Sequence, residues 1–176
     1  MSTNNTMLTI FAFTLLTSVL IAFYRLLNLS GDDISGAQDA ILATSLNTSY
    51  AEVARGLAFD SITDTSDVAL LNPSALADPN ALGPENASED SLYNFNDVDD
   101  FNGFVLERDA NGTGRRFRTS FTVQYVDPNN IQNTSAQKTF VKRIDMKTWR
   151  SVPPAPLGTK LDTLKSCVTI GYFHFD

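Results

Sequence analysis

One cysteine and one histidine are all that the 176 residues contain of either type. With Cys167 alone, no intramolecular disulfide can close, and its place in the apolar run from Cys167 to Phe175 predicts a buried small hydrophobe rather than a nucleophile. With His174 alone, spacing supports neither a Ser-His-Asp nor a Cys-His constellation, and a zinc site would need two carboxylates from elsewhere. A glycine-rich phosphate loop is lacking too, because Asn111-Gly112-Thr113-Gly114 falls between strand-like segments and not between a strand and a helix. No internal repeat is visible. These absences argue against an enzyme. Lysine and arginine are missing before Arg25, so the basic n-region of a cleaved secretory signal is absent and a retained anchor is expected. Arg25 alone flanks the apolar segment, which leaves its orientation ambiguous.

What the chain does have is a long apolar run. Met7 to Tyr24 is uncharged and mostly hydrophobic. As a helix it extends about 27 Å, close to the hydrocarbon thickness of a bilayer. Beyond it, Asn28, Ser30, Gly31, Asp32, Asp33, Ser35 and Gly36 cluster short polar residues with two glycines. Each glycine costs about 1 kcal/mol against alanine inside a helix, which predicts a break or hinge around residues 28 to 36, at Asn28, Gly31 and Gly36. Leu42, Leu46, Ser49, Val53 and Leu57 then recur at spacings of four and three, predicting an amphipathic helix that ends near Asp60 and lays one stripe on a sheet.

Charge divides the chain. Residues 1 to 100 carry fourteen acids against Arg25 and Arg55, whereas residues 101 to 176 carry eleven bases against six acids. The bases of the second half alternate with apolar residues, as solvated strand faces do, and this excludes a nucleic-acid groove. An acidic shoulder on one copy meeting a basic face on the next is the second reading of the same asymmetry.

Residues 63 to 100 are rich in Ser, Asn, Asp and Pro. A short helical turn is expected at Pro73 to Ala77, with Asn72 as its cap, inside a long ordered loop. The loop closes on Tyr93-Asn94-Phe95-Asn96-Asp97-Val98-Asp99-Asp100-Phe101-Asn102-Gly103-Phe104. Asp97, Asp99, Asp100 and Asn102 offer oxygen ligands to a hard cation such as calcium, although no glutamate follows at the position an EF-hand requires. Aspartates capping backbone amides in a tight turn before Gly103 account for the same residues.

From Phe104 the period changes to two. Phe117, Thr119, Phe121, Val123 and Tyr125 share one face of a strand, and Arg116, Arg118, Ser120, Thr122 and Gln124 share the other. Asp109 to Gly114 and Asp127 to Asn130 are expected turns. A strand should follow from about Lys138 to Lys147, then an extended crossing from Trp149 to Thr159. The last strand, Ser166 to Phe175, is apolar on both faces, which predicts a central position or burial against another subunit. Six N-x-S/T sequons occur, at Asn4, Asn28, Asn47, Asn86, Asn111 and Asn133. Asn111 and Asn133, in expected turns, are the preferred glycosylation positions.

The layout resembles type IV pilin-like proteins: one apolar N-terminal helix, an amphipathic helix directly after it, and a β-rich remainder. The Asp-Val-Asp-Asp, aromatic, Asn-Gly stretch just before the first strand is similar to a motif of minor pilins. This resemblance implies an α+β fold, with the helix packed on a roughly four-stranded antiparallel sheet. Its parts would be a transmembrane or filament-core helix (1–30), an amphipathic helix (31–62), an αβ-loop (63–103) and a sheet head (104–176). It implies a structural subunit held in the cytoplasmic membrane as a precursor and then polymerised by pilus assembly machinery into a cell-surface filament. Leu8, Phe11, Leu15, Val19, Ala22 and Phe23 would then bury between copies, with no cofactor required. A family leader and a glutamate near the mature N-terminus are not seen, and Asn5 stands where that glutamate would fall if Met1 were the first mature residue. A minor pilin or pseudopilin, and a monomeric membrane-anchored binding domain, are the rival expectations.

Overall fold

The computed structural model describes residues 3–65, 72–110, 112–154 and 163–172. Its order is helix α1 (Thr3–Arg55), a short helix α2 (Ser61–Thr65), and strands β1 (Val105–Ala110), β2 (Arg115–Asp127), β3 (Asn130–Thr134), β4 (Val141–Val152) and β5 (Leu164–Gly171). Contacts divide the chain into Met1–Ile41, helical from Thr3 onward, and a head, Leu42–Asp176.

Helix α1 runs unbroken for 53 residues, so the break expected at Asn28, Gly31 and Gly36 is absent. Magnitudes explain this. Two glycines cost about 2 kcal/mol together, whereas interrupting a helix and starting it again costs a nucleation factor of about 10⁻³, near 4 kcal/mol. Helical turns on both sides therefore carry the backbone through.

In the head, the last turns of α1 cover one face of an antiparallel sheet of order β1-β2-β4-β5, with short β3 paired to the end of β2. The expected antiparallel sheet is present, with β3 as an added short strand. Alternation in β2 is as read from the sequence: Phe117, Thr119, Phe121, Val123 and Tyr125 all point inward and are buried. The buried stripe of α1 is displaced by one residue from the expected one. Ala43, Asn47, Tyr50 and Ala54 are buried, Leu42, Leu46 and Leu57 flank them, and Ser49 and Val53 are exposed. Small Ala43 and Ala54 permit close approach, while Tyr50 meets Phe121 edge-on at 5.4 Å.

Asn47 takes the place that a leucine would have in a purely apolar stripe. Its Oδ1 accepts from Thr148 Oγ1 at 2.5 Å, its Nδ2 donates to Ser166 Oγ at 2.7 Å, and Thr148 pairs with Thr119 Oγ1 at 2.8 Å. One polar chain thus ties α1 to β2, β4 and β5 inside the core. Replacing Asn47 with alanine leaves the Thr148 hydroxyl one partner short and frees Ser166. A loss of about 1–3 kcal/mol in unfolding free energy is expected by denaturant titration, and an unchanged midpoint would show that this chain carries no stability. The same burial removes the Asn47 sequon as a glycan acceptor in the folded head.

Several strand limits differ from expectation. β4 continues through Trp149 to Val152, so the extended crossing begins later; residues 155–162 lie outside those described. Among the described residues β5 lies at the edge of the sheet and not at its centre, and residues 173–176 lie outside the described set. Cys167 is exposed, because its pairing with Asp145 places it on the outer, polar face of the sheet, opposite to Val168. Asn133 is exposed in β3 instead of in a turn, and Asn111 lies outside the described residues.

Candidate functional site

Two features stand out: the apolar half of α1, and a carboxylate cluster beneath the loop before β1. On α1, the side chains of Leu8, Phe11, Leu15, Val19 and Phe23 are each more than half exposed, and Ala22 is exposed as well. The remaining large apolar residues from Met7 to Leu29 are at least 50% exposed. The helix is long and apolar enough to cross a membrane. Its hydroxyls suit such a medium, since Thr9, Thr14, Thr17 and Ser18 donate to the carbonyls of Asn5, Phe11, Phe13 and Leu15 on their own helix. A satisfied hydroxyl adds little to the cost of transfer into hydrocarbon.

The second feature is built by hydrophobic anchoring. Phe95, Val98 and Phe101 are buried, with Phe95 meeting Phe101 at 5.2 Å and Phe104 at 5.0 Å, and Phe101 meeting Phe121 at 5.2 Å. Pinned between these rings, Asp97, Asp99 and Asp100 are drawn fully under the surface, at 0% exposure each. The backbone here also runs beside the end of the first helical region, with Ala58 donating to Asn96 O at 3.2 Å and Val98 donating to Ala58 O at 3.0 Å.

Turn-making uses one oxygen of two of these aspartates. Asp97 Oδ1 accepts from the Asp99 N–H at 2.9 Å, and Asp100 Oδ2 accepts from the N–H groups of Asn96 and Asp97 at 2.9 and 3.3 Å. Asp99 Oδ1 instead takes a 2.6 Å hydrogen bond from Lys142 Nζ. The other oxygens, Asp97 Oδ2, Asp99 Oδ2 and Asp100 Oδ1, are buried with no hydrogen-bond partner. Asn102 does not belong with them. Its Nδ2 donates to Leu82 O at 2.9 Å and its Oδ1 accepts from the Val123 N–H at 3.0 Å, so the amide is a strut between loop and sheet.

Three participants were missed from the sequence. Glu85 and Glu89 bring carboxylates to the same place: oxygens of Glu85, Asp97 and Asp99 lie within 4.8 Å of one another, as do those of Glu85, Glu89 and Asp100. Glu89 is committed to Asn86, whose N–H and side-chain amide donate at 2.9 and 3.0 Å and hold its carboxyl below the usual range. The third is Lys142, which the strand pattern assigned to a solvated face. It is wholly buried, with Nζ donating to Phe59 O at 2.7 Å and to Asp60 Oδ2 at 3.1 Å besides Asp99, and lying 4.7 Å from the centroid of the Phe59 ring. The alternation of Lys142 with Ile144, Met146 and Thr148 was the available signal, since those three point inward.

One ammonium does not balance the carboxylates around it. Burial first, then the charge and close approach of the Asp99 carboxylate, and then the charge of Asp100, push the Asp97 carboxyl up to about 8. Burial raises Asp100 and Glu85 as well, in each case against hydrogen bonds that favour the ionised form.

The rest of the loop is fixed to the same centre. Asn72 caps the one-turn helix Pro73–Ala75 as expected, accepting from the Ser74 N–H at 2.9 Å. Lys138 Nζ donates to Leu76 O at 2.6 Å, Tyr125 Oη to Ala77 O at 3.0 Å, and the Ala77 N–H to Asp60 Oδ2 at 3.0 Å.

Fold and site define an α+β head whose first helix is part of a segment able to cross a membrane. No family model, curated protein or solved structure matches the chain.

Proposed function

We propose that the chain is a structural subunit of a type IV pilus-like filament, held in a membrane before assembly and polymerised through its N-terminal helix. The observation that carries this reading is the continuity of α1, whose apolar turns are exposed while its last turns belong to the core of the head. A helix of this kind is stable in a bilayer or in a bundle of its own copies, and the two environments exchange apolar contacts at little net cost. Leu8, Phe11, Leu15, Val19, Ala22 and Phe23 are the assembly surface. The repeated contact is heterologous, so it propagates as an open helix. Head-to-head contacts draw on exposed acids of the loop, Asp64, Asp78 and Asp90, against the basic outer face of the sheet. Glu89, Asp97, Asp99 and Asp100 are buried and not available for such contacts.

Mechanical shearing of cells that make the protein, followed by mass spectrometry of the sheared and membrane fractions, tests the reading. A filament subunit is recovered as a main component of the sheared material. Recovery from membranes alone, as a detergent-soluble monomer, would favour an anchored binding domain, and trace amounts in filaments built from another chain would favour a minor subunit.

A further inference from the structure

We propose that Glu85, Asp97 and Asp99 bind one calcium ion, which clamps the loop before β1 onto the head. The inference does not depend on whether the chain polymerises. An acidic cluster alone would be weak ground, but here the turn bond of Asp97 and the Lys142 bond of Asp99 leave Asp97 Oδ2 and Asp99 Oδ2 buried without a hydrogen-bond partner, beside an exposed Glu85 that gives an ion access from solvent. An unpartnered oxygen in a fully buried carboxylate is costly, and a cation removes the cost for both aspartates at once.

The donor set is oxygen only, which selects a hard cation. Tolerance of irregular geometry selects among those. Calcium takes six to eight oxygens in flexible geometry, whereas magnesium demands a near-ideal octahedron at about 2.1 Å. One oxygen from each of the three carboxylates lies within 4.8 Å of the others, close enough for a single ion to reach all three. Water fills the remaining positions on the Glu85 side, as calcium's six to eight ligands allow. Asp100 Oδ1, also unpaired, adds negative potential from the second carboxylate group, which shares Glu85. Lys142 holds Asp99 Oδ1, fixing that carboxylate so that Oδ2 is the oxygen left for the ion. Of the four ligands expected from sequence, Asp97 and Asp99 belong to this set, and Glu85, from an earlier part of the loop, stands in place of Asp100 and Asn102.

The test is calorimetric titration of the full chain in detergent micelles with calcium chloride and with magnesium chloride, paired with thermal melting. The expected result is a single saturable calcium site, a rise in melting midpoint of roughly 5 °C at saturating calcium, and much weaker binding of magnesium. Glu85→Gln, an exposed change, and Asp97→Asn, which keeps the acceptor for the Asp99 N–H, should each weaken calcium by about tenfold or more, while the exposed Asp64→Asn should not. Absence of saturable binding, equal affinity for magnesium, or unchanged calcium affinity in Glu85→Gln would overturn the proposal.

Discussion

Lys142→Met should lower the unfolding free energy of the head by about 3–5 kcal/mol, because it leaves Asp60 and Asp99 buried without their counter-charge. The substitution nearly preserves volume, so packing is not the cause. What is lost is a fully buried ammonium that donates to Phe59 O, Asp60 Oδ2 and Asp99 Oδ1, with two aromatic rings beside it. A loss of that size corresponds to a midpoint drop of roughly 10–15 °C for a head of this length. Thermal melting of the full chain in micelles measures it directly. The double variant Lys142→Met with Asp99→Asn should recover part of the loss, since a neutral amide replaces the stranded charge. A drop under about 1 kcal/mol for Lys142→Met alone would mean that the aspartates are charge-balanced by something other than the lysine.

Leu16→Arg should abolish stable retention in the membrane and, with it, incorporation into filaments. Arginine at the middle of a spanning helix is disfavoured by roughly 3 kcal/mol relative to leucine on an insertion scale, a shift of more than about a hundredfold in equilibrium. Leu16 is 53% exposed on α1, so the change disturbs nothing packed against it, and the head keeps its own core. Cell fractionation with carbonate washing reads the effect. Leu16→Ala serves as the control and should remain in the membrane fraction. Retention of Leu16→Arg at the native level would remove the anchor from the account.

Much of this architecture was legible because it is local. The alternation in β2, the Asn72–Pro73 cap and the apolar run of the first helix are short-range patterns, and each was found where the sequence put it. The helix break was misjudged for a reason equally local: glycine cost was weighed, and the larger cost of restarting a helix was not. What failed elsewhere was long-range. Lys142 and Asp60 are separated by 82 positions and Asn47 and Ser166 by 119, so no window contains both partners. A lysine on a strand reads as solvent-facing until the sheet shows that its neighbours in alternation all point inward. Asp97, Asp99 and Asp100 were identified, and the turn bonds of Asp97 and Asp100 were as expected, whereas Asp99 binds Lys142. Asn102 was misassigned because its amide serves Leu82 and Val123, and Glu85 was overlooked because only the folded loop brings it back to Asp97.

The most direct measurement is electron cryo-microscopy of sheared filaments from cells that make the protein, at a resolution that traces side chains. The account predicts this chain as the repeating unit, with Leu8, Phe11, Leu15, Val19, Ala22 and Phe23 packed among neighbouring helices at the filament centre and the heads outside. Filaments that lack the chain, or that contain it with those residues facing solvent, would contradict the claim that α1 is a polymerisation helix.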